Sequence, residues 1–133
     1  MYGYVAGLPA FLAYFGSGVA LLVAFSILYS LVTPQREFSL IKDGNGAAAT
    51  AFLGALVGFS LPLASAAANS VSLIDFVIWA MIGAVIQLLA FGAAAMTQRN
   101  LATRISQGEL GAGLWAGGVA LVVGLLNAAC MTY

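Results

Sequence analysis

The side chains that could do chemistry in this chain are few. Its 133 residues include four Lys or Arg, four Asp or Glu, no His and one Cys. Without histidine, neither a Ser/His/Asp nor a Cys/His nucleophile can be assembled. Metal sites of the His/Cys type and an internal disulfide also lack raw material. Gly44-Asn45-Gly46 beside Lys42 reads as a turn, not as a phosphate-binding glycine loop. An enzyme working on lipid without histidine needs paired acids at one membrane face, and Asp75 and Glu109 are expected at opposite faces. No catalytic residue, cofactor or metal is therefore expected. The balanced charge also excludes a nucleic-acid surface, which needs clustered cations against phosphate.

What remains is a set of uncharged polar side chains inside long apolar runs: Ser65, Asn69, Gln87 and Asn127. The chain is 63% hydrophobic and only 6% charged, against about 25% charged in a soluble domain, so these runs belong in a bilayer. Gln87 lies 12 residues beyond Asp75, about 18 Å along a helix and so near mid-membrane. Polar groups at that depth are costly. They are either the lining of an outward-opening path for an ion or small polar solute, or hydrogen-bonding glue between helices. Proton- and cation-coupled carriers place a carboxylate or histidine at depth. Asp75, at a helix boundary, is the one candidate here, so active coupling of the small multidrug-exporter kind is not expected.

Four elements must position these residues. Segments 8–32, 47–68, 73–96 and 110–131 are free of charge apart from Asp75. Each exceeds the roughly 20 residues that cross a ~30 Å hydrocarbon core. In lipid the backbone must satisfy its own hydrogen bonds, so each run is a helix. The fold class expected is all-α: one membrane domain over 1–133 with four transmembrane helices. Arg36 and Lys42 fall between the first and second helices, Arg99 and Arg104 between the third and fourth. Positive charge stays inside, which puts those loops in the cytoplasm and both termini outside. With no basic n-region and no cleavage site, helix 1 reads as a retained anchor. The aliphatic and aromatic residues among the loop cations suit the anionic inner leaflet or a partner protein.

Local chemistry sets the boundaries. Thr33-Pro34 stops helix 1, and Asp43-Gly44-Asn45-Gly46 turns the chain into helix 2. Ser72 to Asp75 and Ser106 to Glu109 both fit capping boxes. Pro62 leaves the Gly58 carbonyl without its helical partner and predicts a kink. Gly54 and Gly58 on helix 2 and Gly113 and Gly117 on helix 4 are spaced for close helix packing, within or between chains. Tyr2, Tyr4, Phe76 and Tyr133 at one interface, and Tyr29, Phe38 and Trp115 at the other, read as aromatic belts. Cys130 reads as an unpaired, packed thiol. A weak repeat at an offset of 62 pairs Gly46 with Gly108 and Lys42 with Arg104. It predicts halves 8–70 and 71–133, two parallel two-helix repeats about an axis along the membrane normal.

The chain also resembles a known family. The likeness runs through Ala13-Tyr14-Phe15, Gly18-Val19-Ala20, Tyr29-Ser30 and Thr33-Pro34, then Leu40-Ile41-Lys42, Pro62-Leu63, Ser65-Ala66-Ala67, Asn69-Ser70-Val71-Ser72 and Ile86-Gln87-Leu88-Leu89, ending in Asn127 to Thr132. In these motifs it resembles the YjfL family of small bacterial inner-membrane proteins, a domain of unknown function. The resemblance implies an inner-membrane location and four helices in two repeats. It also implies an envelope role beside ATP-grasp ligases and membrane-stress proteins, with a membrane or envelope partner. The expected function is a non-enzymatic structural or accessory component of such a system. The alternative is a small oligomeric channel or facilitator lined by Ser65, Asn69, Gln87 and Asn127. With so little room inside four helices, a homo-oligomer in the lipid bilayer is expected.

Overall fold

A computed structural model describes the backbone of residues 2–33 and 37–131 and the side chains of 7–33 and 37–131. Arg36, Pro34 and Tyr133, and the side chains of Tyr2 and Tyr4, lie outside the described residues. The chain is all-helical: α1 (Tyr2–Val32), α2 (Glu37–Lys42), α3 (Gly46–Asn69), α4 (Leu73–Thr97), α5 (Leu101–Ser106) and α6 (Leu110–Cys130). Four of these, α1, α3, α4 and α6, are long and apolar enough to cross a membrane. The two segments read as loops each hold a one-and-a-half-turn helix, α2 and α5. Both lie at the connector end of the bundle, opposite the two termini.

The core is the α3–α6 pair, with α4 laid against both. Glycine makes that pair possible. A Cβ on Gly54 would collide with the Gly117 backbone, one on Gly113 with Ala47, and one on Gly117 would come within 2.7 Å of the Thr50 carbonyl oxygen. The small residues picked out in sequence thus face each other within one chain. Gly124 belongs with them, because its Cα faces the Gly58 carbonyl too closely for any side chain. That carbonyl is the one Pro62 strips of its helical N–H. Gly124 packs close against it, and α3 runs through Pro62 as one helix.

Beside this small-residue seam, at the same levels of α3, sits an aromatic cluster. Phe25 stacks on Phe59 with ring centroids 4.4 Å apart, and Tyr29 meets Phe52 and Phe91. Tyr29 and Phe76 are buried core residues and not belt residues. The apolar bodies of their rings fill the space where α1 meets α3 and α4. Cys130, the last residue of α6, is exposed and not packed. Otherwise α1 is peripheral, touching α3 and α4 with most of its surface outward.

The connectors share one design. Asp43 N–H bonds Ser39 O, Gly44 N–H bonds Ile41 O and Asn45 N–H bonds Leu40 O. The same three bonds recur from Gln107, Gly108 and Glu109 to Thr103, Ile105 and Arg104. Gly44 and Gly108 both adopt positive φ, +87° and +82°, which glycine adopts freely. These two turns are 64 residues apart (44 to 108, 45 to 109), whereas residue identity pairs Gly46 with Gly108 at 62. The packing of α1 and α4 is not matched in this way, since α4 lies on α3 and α6 whereas α1 lies on α3 and α4.

Asn45 joins the two connectors. Its Oδ1 accepts the Ala48 N–H at 3.0 Å and caps α3, while its Nδ2 donates to Ile105 O at 2.9 Å and Ser106 O at 3.2 Å. One amide thereby serves a free N–H at the start of α3 and two carbonyls at the end of α5, of which Ile105 O also accepts the Gly108 N–H. At the opposite end Ser72 Oγ accepts the Asp75 N–H, and Asp75 reaches back to the Val71 N–H, each at 3.1 Å. The second capping box does not form. Ser106 ends α5 and bonds its own helix, and Glu109 takes the N-cap position with its carboxylate on Arg104.

The glycine seam gives a direct test by thermal unfolding in detergent micelles. Gly54→Ala and Gly124→Ala should each lower stability by about 1–3 kcal/mol through overpacking. Gly118→Ala, whose Cβ meets nothing within 4 Å, should be neutral or slightly stabilising. Equal responses at all three sites would remove the seam as the organising contact.

Candidate functional site: the intramembrane polar residues

Three of the four polar residues predicted from sequence stitch α3, α4 and α6 together. Ser65 Oγ donates to Ala128 O of α6 at 3.1 Å. Gln87, 1% exposed, donates from Nε2 to Ala120 O of α6 at 3.2 Å. Asn127 returns the contact from α6, with Nδ2 3.5 Å from Gly83 O of α4. The fourth, Asn69, is exposed at the end of α3 and bonds the Ser65 carbonyl of its own helix at 2.8 Å. The acceptors are backbone carbonyls, whose second lone pair is free after the helical bond is made.

These bonds do not form a chain. Ala120 and Asn127 are seven residues apart on α6, about 10 Å along the axis, and no described bond joins Gln87 to Asn127. Three apolar clefts among the described residues are lined by other side chains. One of them, about 500 Å³, lies between α1, α3 and α4 and is walled by Phe11, Tyr14, Gly18, Leu22, Leu63 and Phe76. It is an apolar cleft facing lipid.

Gly58 explains how Gln87 crosses the bundle. A Cβ there would lie 2.6 Å from Gln87 Nε2, so the absent side chain is the slot through which the amide reaches Ala120. The other half of that amide is unfilled. Gln87 Oε1 is buried with no partner among the described residues. A buried acceptor without a donor costs about 1–3 kcal/mol.

The connector end carries the cations. Arg104 makes a bidentate pair with Glu109, at 2.5 Å and 3.0 Å, and also reaches Gln98 Oε1 at 3.1 Å. This pairing holds the Glu109 carboxyl below the ordinary carboxylate range and raises the Arg104 guanidinium. Lys42 closes α2, and Arg99 sits in the turn after α4. Trp115 Nε1 donates to Thr97 Oγ1 at 2.9 Å and pins the start of α6 to the end of α4.

One residue escaped the reading by type and spacing. Glu37 opens α2 and is completely buried. Its Oε1 is hydrogen-bonded with the Thr33 hydroxyl, and its Oε2 has no partner among the described residues. Burial raises its pKa above 4.5, with the Thr33 hydroxyl, the backbone and the Ser30 hydroxyl acting against the rise. Between Arg36 and Phe38 it looks like an ordinary loop acid. The available signal was that Ser30, Thr33 and Glu37 are spaced for one helical face.

Comparison with known proteins bears on the whole chain. Residues 3–131 match the family described as Domain of Unknown Function, DUF350. The chain is 45% identical over 126 residues to the UPF0719 inner membrane protein YjfL of Escherichia coli strain K12, covering 95% of this chain and 96% of that one. The same figures hold for its counterpart in Escherichia coli O157:H7. No solved structure matches.

The geometry at Gln87 predicts an asymmetric response. Gln87→Leu removes one interhelical bond and one unfilled acceptor together, so reversible unfolding in bicelles should change by no more than about 1 kcal/mol. Gln87→Ala, which leaves a cavity, should cost about 2–4 kcal/mol. A loss as large for Leu as for Ala would mean that the amide, not its volume, holds the helices.

Proposed function

The chain belongs to the DUF350 family, and from that premise and its geometry we propose that it is a non-enzymatic structural or accessory component of the bacterial inner membrane. One observation carries the reading. The three interhelical polar side chains, partly buried Ser65 and buried Gln87 and Asn127, each donate to a backbone carbonyl of a neighbouring helix. That arrangement supports a role in holding helices together, with no polar file across the bundle among the described residues. The relatives are named inner membrane proteins, which supports the same membrane for this chain. Its partners are lipid, further copies of itself and an envelope protein, met through the outward face of α1 and the basic connectors. The matched connector turns support an origin in two parallel repeats.

The buried, unpartnered Gln87 Oε1 favours a second reading, a narrow facilitator that completes its polar lining by oligomerising. Flux through proteoliposomes separates the two. Potassium, sodium, chloride and polyamines should cross no faster than in empty vesicles. Flux that disappears in an assembled Asn69→Leu/Asn127→Leu variant would replace the accessory reading with the facilitator.

Orientation has its own test. With the basic connectors inside, both termini are periplasmic, so exposed Cys130 at the end of α6 should react with a membrane-impermeant maleimide in spheroplasts. Labelling only after the membrane is broken would invert the topology.

A further inference from the structure

We propose that Glu37 is a proton-binding site: the neutral acid docks α2 on the bundle, and loss of the proton releases α2 and with it the anchorage of α1. The inference stands apart from the accessory role and rests on the donors and acceptors around one carboxyl group.

Thr33 has a single hydroxyl proton and two acceptors within reach, the Tyr29 carbonyl at 2.9 Å and Glu37 Oε1. When the proton goes to the carbonyl, as threonine commonly arranges near the end of a helix, the second bond can form only if the carboxyl supplies its own. The neutral acid therefore satisfies both contacts. The ionised form does not, because Thr33 can donate to the carboxylate only by leaving the Tyr29 carbonyl, Oε2 has no hydrogen-bond partner among the described residues, and the Ser30 hydroxyl and the backbone only partly offset the cost of burial. No ion pair reaches it among the described residues. An uncompensated buried charge is among the costliest things a fold can hold.

The groups facing Glu37 from its neighbours sharpen the point. From α1 come Ser30, Thr33 and the phenol of Tyr29. α3, on which α2 packs, has no charged residue from Gly46 to Asn69. On α2 itself the one other charge is Lys42, at its far end, followed by Asp43 in the turn. Arg36, which precedes Glu37, is outside the described residues.

Docking also depends on the same few contacts. Phe38 meets the Phe52 ring edge-on at 5.2 Å, and Ile41 packs against both core clusters. α2 carries the covalent link from peripheral α1 into the bundle, so its release frees the end of α1. The sign follows from linkage. A carboxyl whose pKa is raised by folding keeps its full stabilising effect below 4.5 and loses it as pH rises through the raised value. Alkaline pH should therefore undock α2.

The test is an infrared titration of the full chain in lipid bilayers, run beside hydrogen exchange of the α2 amides. The wild type should show the C=O stretch of a protonated carboxyl at neutral pH, absent in Glu37→Gln and fading as pH rises. Carbon-13 labelling of glutamate carboxyls assigns the band without any substitution, since the one other glutamate, Glu109, is ion-paired with Arg104. The ratio of α2 exchange in the wild type to that in Glu37→Gln should climb by about tenfold per pH unit above the pKa of the acid. Absence of the band at every pH overturns the proposal. So does a band that titrates while the exchange ratio stays flat. A band missing from the wild type but present in Arg36→Gln would also overturn it, because Glu37 would then be one half of an ion pair.

Discussion

A lipid interior offers polar groups nothing to bond to, and most of this architecture answers that constraint. Long helices close their own backbone bonds. Where proline removes one of those bonds, at Pro62, a glycine on the facing helix comes close enough to meet the abandoned carbonyl. The side chains that remain polar inside the bundle settle on carbonyls with a lone pair to offer. The same constraint makes exceptions informative. Gln87 Oε1 and Glu37 Oε2 are buried without partners among the described residues. Both sit where another species, a water, a proton or a second chain, would change the energetics most.

Backbone approach is the second organising fact, and it follows from the first. Apolar side chains gain nothing from leaving lipid for one another, so helices associate through close van der Waals contact. Gly54, Gly58, Gly113, Gly117 and Gly124 supply that contact between α3 and α6. α1 contributes no such glycine seam to the core and stays at the periphery, held by aromatic contacts around Tyr14, Phe25 and Tyr29. The molecule thus combines a three-helix core of α3, α4 and α6 with a peripheral α1, and the apolar cleft lies along the boundary between them.

Much of this was legible in the sequence because hydropathy and turn chemistry are local. The four spans, the turn at Gly44 and the cap at Ser72 follow from runs and neighbours a few residues apart. What was not legible depends on contacts between distant segments. The spacing of small residues cannot say whether their partner is in the same chain. Tyr29 and Phe76 have the composition of interface residues, yet tertiary packing buries them. Residue identity is also a weak guide where backbone conformation is what recurs. Gly44 corresponds to Gly108 through its positive φ, although Gly46 carries the same letter. Glu37 was hidden in the same way, since only the folded connector shows that a charge among polar neighbours has been carried inside.

The amide of Asn45 has a consequence in time as well as in space. Its Oδ1 caps α3 through Ala48, three residues on, so that half of the bond set is available as soon as α3 is made. Its Nδ2 waits for the carbonyls of Ile105 and Ser106, about sixty residues later. During synthesis the first two spanning helices therefore enter the bilayer with the α3 cap in place and the clasp open. The clasp closes only once α4 and α5 have emerged, which makes the cross-connector bond a marker of completed assembly and not a step toward it.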